Sequence, residues 1–278
     1  MRDLYQQIQE CVCFLGTEGS DGRVQYQGTA FWITLPDPGD DEGEFAYLVT
    51  ARHCVERGRL APKFFGRVNK EGGGSDVFDA MDHWAFPDDP SVDLAVRLLY
   101  LPEGYQRRAI PLHLFAMPER MEQEQIGVGD DVLVTGLFSL RSGQDRNLPI
   151  VRTGIISSVV DEPFLDDGGR EYRAFLAEVR SIGGLSGSPV FVKYRRADRK
   201  PMIQHVVGDY DVRTVLIGVV RGHFDLRTQR EAIDSPSDEA LNMGICLVTP
   251  IGEPHALLFS TEQEQFRRKI LEEGSASS

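Results

Sequence analysis

Gly184-Leu185-Ser186-Gly187-Ser188-Pro189 is the stretch that decides the fold of this chain. Short apolar runs of the strand type precede and follow it, at 174–179 and 190–192. Glycines around Ser186 allow the backbone to turn its N–H groups toward one point, because no Cβ obstructs the turn. The stretch therefore predicts a strand–loop–strand segment with Ser186 in the loop. An ordinary glycine-serine turn, in which the serine bonds its own backbone, is the alternative that these residues leave open.

One known setting for a reactive serine does not fit the residues that follow Ser186. A nucleophile elbow requires a strand, a tight turn and a helix, with glycine two residues after the serine. That position holds Ser188, and the run after Pro189 is strand-like. The segment therefore does not predict an α/β-hydrolase.

Two upstream stretches supply the chemical partners that a reactive serine needs. Thr50-Ala51-Arg52-His53-Cys54 places a histidine at the end of a predicted strand, and Asp93-Leu94-Ala95-Val96 places a carboxylate at the start of another. A serine hydroxyl becomes a nucleophile when an imidazole takes its proton and a carboxylate fixes the imidazole tautomer. Taken singly, His53 fits a structural histidine and Asp93 fits a turn residue. The hypothesis of a catalytic His53, Asp93 and Ser186 requires a fold that unites them.

The composition excludes several classes of protein. The chain has 278 residues and a formal net charge of −13, and no basic stripe indicates binding to nucleic acid or to an anionic membrane surface. No segment has the roughly 20 apolar residues of a membrane span, and the N-terminus lacks the apolar core of a signal peptide. Four cysteines are too few for a disulfide scaffold and lack the spacing of a zinc site. We expect a cytoplasmic protein with buried, reduced cysteines and no metal.

Short apolar runs separated by glycine, proline and acidic turns predict an all-β fold. The predicted strands are Cys11–Leu15, Gly28–Leu35, Glu44–Thr50, Leu94–Leu99, Asp131–Gly136, Val151–Val159, Ala174–Glu178, Pro189–Lys193, Val215–Val220 and Met243–Val248. Two helices are predicted, both terminal, at Arg2–Gln9 and Thr261–Glu273, and the second begins with capping-box spacing. The proline-containing segment 101–127 is interpreted as the connection between two β-structured halves.

In their chain order, these segments resemble the trypsin/chymotrypsin-like (S1, PA clan) serine protease family, of the bacterial intracellular trypsin-like type. The order His, Asp, Ser matches this family and not subtilisins or α/β-hydrolases. The resemblance extends from Cys11 to Ile251. Besides the three stretches above, it rests on Gly28-Thr29-Ala30-Phe31-Trp32-Ile33, Gly154-Ile155-Ile156-Ser157 and Ile217-Gly218-Val219-Val220.

The resemblance implies a fold of two six-stranded antiparallel β-barrels with the site in the cleft between them, followed by a C-terminal helix. The expected division is an N-terminal barrel at 1–105 with His53 and Asp93, a connection at 106–128, a C-terminal barrel at 129–251 with Ser186, and a helix and tail at 252–278. It also implies a serine endopeptidase that forms an acyl-enzyme on Ser186. The N–H groups of Gly184 and Ser186 are the candidate oxyanion hole, and no cofactor is required. A protein or peptide substrate is the implied partner, and a regulatory partner protein stays open.

The chain departs from the family at the residue before the serine. Secreted members carry an aspartate there, which pairs with a newly cleaved N-terminus, whereas this chain has Leu185. Activation by N-terminal cleavage is therefore not expected. Motif alignment places Arg180 near the floor of the specificity pocket and Arg221, Gly222 and His223 along its wall. A cationic pocket predicts an acidic residue before the scissile bond, and pairing of Arg180 with a surface carboxylate is the alternative.

Two other functions stay open at this point. The first is a catalytically silent protein that uses the protease fold to bind a partner or to sense a signal. The second is an esterase or other hydrolase that uses the same three residues on a different bond. Fold alone does not separate these functions from proteolysis, because one fold hosts many activities.

Overall fold

The computed structural model of the protein describes residues 4–37, 40–159, 162–165, 169–179, 183–195, 212–226 and 241–275. The strands of the N-terminal half are β1 (Val12–Glu18), β2 (Val24–Asp37), β3 (Asp40–Thr50), β4 (Lys63–Asn69), β5 (Ser75–Asp79), β6 (Ala95–Leu98) and β7 (Ile110–Pro111). Those of the C-terminal half are β8 (Asp131–Gly136), β9 (Ile150–Val159), β10 (Phe164–Leu165), β11 (Glu171–Tyr172), β12 (Phe175–Glu178), β13 (Pro189–Arg195), β14 (Val212–Leu226) and β15 (Leu241–Pro250). The helices are α1 (Leu4–Gln9), α2 (Arg52–Gly58), α3 (Pro118–Gln123), α4 (Gly252–Leu258) and α5 (Thr261–Ser275).

The N-terminal half is one sheet with the strand order β5-β4-β1-β2-β3-β6, to which β7 adds by pairing with β2. No ladder joins the edge strands β5 and β6 in the described chain; Arg97 of β6 instead donates a hydrogen bond to the carbonyl of Asp79 at 2.6 Å. The free edge of β6 is occupied by Ala85, which exchanges two backbone hydrogen bonds with Val96. The structure therefore does not confirm the barrel predicted for this half.

The C-terminal half is a closed six-stranded barrel with the order β12-β15-β14-β13-β8-β9. Side chains of successive strand residues point to opposite faces. Val132, Val190 and Ile217 thus lie in the apolar interior of the barrel. Leu133 and Phe191, their neighbours in sequence, point outward and pack in a second buried cluster. The barrel predicted for this half is confirmed.

That second cluster holds the two halves together. It combines Phe31 and Val49 of the N-terminal sheet with Leu133 and Phe191 of the barrel and with Leu258 of α4. Full burial of an apolar side chain of this size stabilises a fold by about 1.5–3 kcal/mol. The relative placement of the sheet and the barrel, on which any site between them depends, therefore rests on apolar packing.

The C-terminal helix is joined to Tyr47 of the same cluster by a buried arginine. Arg267 of α5 donates hydrogen bonds to the Tyr47 hydroxyl at 3.0 Å and to the Leu258 carbonyl at 2.7 Å. The prediction of a C-terminal helix is thereby confirmed. The prediction that helices occur only at the termini is wrong, because α2, α3 and α4 lie within the chain.

The ten predicted strands are all present, with bounds that differ by up to six residues. The described part of the chain also contains five strands that were not predicted: β4, β5, β7, β10 and β11. All four cysteines are buried and free, as expected. Within the described ranges, no helix is long and apolar enough to cross a membrane.

Candidate active site

Strand pairing brings His53 and Asp93 together. Strand β3 ends at Thr50, and His53 follows in the first turn of α2. Asp93 lies two residues before β6, which pairs antiparallel with β3 so that Thr50 is opposite Ala95. Because the end of one strand meets the beginning of its antiparallel neighbour, two residues that are 40 positions apart in the chain become neighbours.

Both carboxylate oxygens of Asp93 are bonded to His53. Nδ1 of the ring lies 2.7 Å from Oδ2, and the backbone N–H of His53 donates to Oδ1 at 2.9 Å. An ionised carboxylate only accepts hydrogen bonds, so the proton of a neutral His53 ring is on Nδ1 and Nε2 carries the lone pair. This is the tautomer that a general base requires.

The environment of the pair favours the charged forms of both residues. Burial opposes a charge on His53, but the hydrogen bonds and charges of Asp93 and Cys54 outweigh it and raise the pKa of His53 from 6.5 to about 10. Burial likewise opposes ionisation of Asp93, but the hydrogen bonds and charge of His53 and the charge of Arg221 hold its pKa below 3.8. The pair therefore binds a proton tightly on the imidazole.

Ser186 lies in the loop between β12 and β13, as predicted, and backbone contacts bind this loop to the N-terminal sheet. The carbonyl of Ser186 accepts a hydrogen bond from the Thr29 N–H at 2.9 Å, and Cys54 Sγ lies 3.7 Å from the same oxygen. Gly187 has φ +81°, and its N–H donates to the carbonyl of Val220 at 2.8 Å. Ser186 and His53 are thus neighbours, since Cys54 directly follows His53.

The hydroxyl of Ser186 does not bond to His53 in this structure. This hydroxyl has no hydrogen-bond partner among the described residues, and Ser186 is only partly buried. Cys54 Sγ lies 3.6 Å from His53 Nε2 instead. His53 and Asp93 are therefore paired, whereas the Ser186 hydroxyl is not engaged.

The two backbone N–H groups proposed for the oxyanion hole are available. Neither the N–H of Gly184 nor that of Ser186 is paired with a protein acceptor in the described chain. Gly184 has φ +103°, and a Cβ there would lie 2.8 Å from Leu137 Cγ, so only glycine fits this conformation. The hydroxyl of Thr29 donates to the Gly184 carbonyl at 2.9 Å.

The residues predicted to line the specificity pocket have different placements. Arg180 and the side chain of His223 lie outside the described residues. The guanidinium of Arg221 donates to the Ser91 carbonyl at 2.7 Å and lies 3.7 Å from the centre of the Tyr172 ring. Gly222 pairs with Leu247 in the β14–β15 ladder, with open space where a Cβ would be.

Leu185 is buried in the barrel core, where it packs with apolar residues such as Val134 and Val190. An aspartate at this position would bury a charge, at a cost of several kcal/mol unless a partner neutralised it. The leucine before Ser186 therefore fits the apolar packing of the barrel core. No group of three His, Cys, Asp or Glu side chains suited to a metal ion occurs in the described ranges.

Sequence reasoning missed Thr29 as a residue of the site. The segment that contains Thr29 contributed to the family resemblance. No local pattern, however, distinguishes a buried threonine that only packs from one whose hydroxyl binds the backbone of a distant segment. Thr50 was missed for the same reason, and its hydroxyl donates to the Thr29 carbonyl at 2.7 Å.

Two solved structures are similar to this fold. One is the MamO protease domain from Magnetospirillum magneticum, with a TM-score of 0.51 and 18% identity over 92% of this chain and 100% of that chain. The other is Deg5, with a TM-score of 0.51 and 15% identity over 92% of this chain and 93% of that chain. No family model and no curated protein matches the sequence.

Proposed function

Because the chain has the chymotrypsin-like (PA clan) fold of serine proteases, we propose that it is a serine endopeptidase that cleaves peptide bonds through an acyl-enzyme on Ser186. The observation that carries the proposal is the engagement of both Asp93 oxygens by His53, with Nδ1 of the ring 2.7 Å from Oδ2. This arrangement leaves the lone pair on Nε2, which lies 3.6 Å from Cys54 Sγ, and the same sulfur lies 3.7 Å from the Ser186 carbonyl oxygen. In this role His53 is the general base and Asp93 orients it.

Acylation follows from these assignments. The Ser186 hydroxyl transfers its proton to His53 Nε2 while its oxygen forms a bond to the peptide carbonyl carbon. The π electrons of the carbonyl move to its oxygen, and the N–H groups of Gly184 and Ser186 stabilise the resulting negative charge. When the C–N bond breaks, His53 returns the proton to the departing amine, and the acyl group stays on Ser186.

Deacylation repeats the sequence with water as the nucleophile. Water gives a proton to His53 Nε2 as its oxygen attacks the ester carbon, and the bond to Ser186 then breaks. The proton returns to the Ser186 oxygen, and a free carboxylic acid leaves. Asp93 stays ionised throughout and stabilises the imidazolium that forms in each half of the reaction.

The unengaged hydroxyl of Ser186 is compatible with this mechanism. In free enzymes, catalytic hydrogen bonds are often long and shorten only when substrate is bound. Rotation about the Cα–Cβ bond redirects a serine hydroxyl without backbone movement. The mechanism requires that substrate binding bring the hydroxyl within hydrogen-bond distance of Nε2.

A fluorophosphonate probe tests the proposal, because it labels a serine only when a base activates it. We expect the wild type to be labelled and Ser186→Ala not to be labelled. Ser188→Ala is the matched control: this neighbouring serine is buried, its hydroxyl has no partner among the described residues, and labelling is expected to persist. Peptide and ester substrates of matched sequence then separate an endopeptidase from an esterase. Absence of labelling in the wild type, with or without added peptides, would overturn the proposal.

The second candidate is a catalytically silent binding or sensor protein with the same fold. The observation that favours it is the position of Cys54 Sγ, 3.6 Å from the Nε2 atom that the Ser186 hydroxyl would need. This candidate predicts binding of peptides without turnover. Calorimetry with a peptide mixture, combined with mass spectrometry of the recovered peptides, distinguishes the two functions.

Substrate preference and location stay predictions. A cationic pocket would favour an acidic residue before the scissile bond. Of the residues assigned to that pocket, Arg221 already uses its guanidinium to bind Ser91 and Tyr172. A peptide library that is cleaved after Arg, Lys or apolar residues, and refused after Glu, would contradict the acidic preference. Fractionation of cells that express the tagged chain tests the cytoplasmic location.

A further inference from the structure

Thr29 makes four hydrogen bonds that connect the serine loop with segments of both halves of the molecule. Its hydroxyl donates to the Gly184 carbonyl at 2.9 Å and accepts from the Leu137 N–H at 2.9 Å. Its backbone N–H donates to the Ser186 carbonyl at 2.9 Å, and its carbonyl accepts from the Thr50 hydroxyl at 2.7 Å. The side chain is fully buried. One residue of β2 thus contacts the serine loop, the end of β8 and the strand that leads to His53.

The hydroxyl is the part of Thr29 that acts on the serine loop. Gly184 has φ +103°, and a glycine has no side chain that packing could hold in place. Its carbonyl oxygen accepts a hydrogen bond from the Thr29 hydroxyl, whose oxygen in turn accepts one from the Leu137 N–H. Leu137 follows β8 and lines the space beside Gly184, so one hydroxyl connects two segments that meet behind the loop.

The orientation of this loop decides whether two N–H groups can serve as an oxyanion hole. Those of Gly184 and Ser186 are free of protein acceptors in the described chain, and they are separated only by Leu185. Donors contribute to catalysis when their positions are fixed before the charge develops. The Gly184–Leu185 peptide lies between these two N–H groups, so a displacement of the Gly184 carbonyl shifts the backbone that carries both.

We propose that Thr29 is a positioning residue that fixes the backbone of 184–186 through the hydrogen bond of its hydroxyl to the Gly184 carbonyl. It does not touch substrate and acts only through Gly184. The inference rests on the proposed function and deepens it, because it assigns the control of the candidate oxyanion hole to the opposite half of the molecule.

Three variants separate this role from simple packing. Thr29→Val keeps the shape of the side chain and removes the hydroxyl, whereas Thr29→Ser keeps the hydroxyl and removes the methyl group. Thr135→Val is the matched control, because Thr135 is also a fully buried strand threonine but its hydroxyl has no partner among the described residues. Thermal unfolding of each variant identifies any that does not fold.

We expect Thr29→Val to lower kcat on a peptide ester by roughly 10- to 100-fold with KM changed by less than about twofold, because misplaced groups reduce the rate more than binding. Thr29→Ser and Thr135→Val are expected to stay within about threefold of the wild-type kcat. Equal losses of kcat in Thr29→Val and Thr29→Ser, or a wild-type kcat in Thr29→Val, would overturn the proposal.

A second measurement does not depend on activity. In ¹⁵N-labelled protein, we expect the amide signals of Gly184 and Ser186 to shift or broaden in Thr29→Val and to stay unchanged in Thr29→Ser and Thr135→Val. If the wild type takes no fluorophosphonate, the proposed function fails, and these signals still test the role of Thr29. Unchanged amide signals in Thr29→Val would then refute it.

Discussion

The proposed base and the proposed nucleophile of the candidate site are held by different kinds of contact. His53 and Asp93 bond to each other directly, through a ring nitrogen and a backbone N–H on two carboxylate oxygens. Ser186 is held only through its backbone, by Thr29 and by turns that require positive φ at Gly184 and Gly187. Its hydroxyl has no partner in the described chain.

This difference indicates which substitutions each part of the site tolerates. The His53–Asp93 pair depends on charge, so changes of charge alter its proton affinity. The serine loop depends on backbone conformation, so a single added methyl group at Gly184 or Gly187 is expected to disturb it. The next experiments test this contrast.

The largest effect is expected for Asp93→Asn. The amide fixes the wrong tautomer of His53, and in a serine protease of known mechanism the equivalent change lowers kcat about 10⁴-fold with the geometry intact. We expect a similar loss in peptide-ester turnover with little change in thermal unfolding. Asp89→Asn, in the same loop, is the control and should retain most of the activity. Turnover close to wild type in Asp93→Asn would mean that another carboxylate orients the base.

Gly187→Ala is expected to act on stability. Its φ of +81° is unfavourable for alanine, and the new Cβ would be forced against the Thr29 carbonyl and the Thr50 hydroxyl. We expect a loss of at least about 2 kcal/mol in the free energy of unfolding, measured with denaturant. Gly127→Ala, where a Cβ meets open space, is the control. Equal stability of the two variants would show that backbone conformation does not hold the serine loop.

The smallest effect is expected for the pH dependence. A raised pKa keeps His53 protonated, so the acidic limb of kcat/KM should have its midpoint above 6.5. Cys54→Ala removes one of the causes that raise this pKa, and the midpoint should move to lower pH, with more activity at neutral pH. The control is Thr135→Val, in which the midpoint should not move. An unchanged midpoint would show that Cys54 does not act on His53.

The pKa shifts of His53 and Asp93 also predict how the stability of the fold depends on pH. Protonation of His53 stabilises the fold fully below pH 6.5, and this contribution is lost as the pH rises through about 10. Ionisation of Asp93 stabilises the fold above pH 3.8, and this contribution is lost as the pH falls through its lower folded pKa. Both contributions to the free energy of unfolding are therefore complete between pH 3.8 and pH 6.5.

Sequence patterns predicted ten of the strands but missed β4, which carries a buried charge. Strand β4 contains Arg67, which is only 5% exposed. Its guanidinium lies 4.1 Å from the centre of the Tyr26 ring and binds Asn147 at 2.6 Å and the Ser142 carbonyl at 2.7 Å. An arginine in a sequence usually indicates a position exposed to solvent, so β4 does not show the apolar alternation of a strand. The groups that bind Arg67 lie far along the chain and could not be identified from the local sequence.

The internal helices were missed because their starts carry no capping signal. Helix α2 begins after Ala51 and α4 after Ile251, and neither residue has a side chain that accepts a hydrogen bond from the first turn. Pro118 was interpreted as part of a connection, but it begins α3, where the missing N–H of proline has no cost. Packing holds these short helices in place, which local sequence does not reveal.

The sequence by itself determined the residue types, their order and the strands that bear them, because strand alternation and glycine turns are local properties. Only the tertiary structure decided that β3 and β6 pair so that His53 binds both oxygens of Asp93, and that the Ser186 hydroxyl has no partner in the described chain. It also turned Arg221 toward Ser91 and connected Thr29 to Gly184. These contacts join residues more than a hundred positions apart or arise from strand register, and both depend on how the whole chain packs.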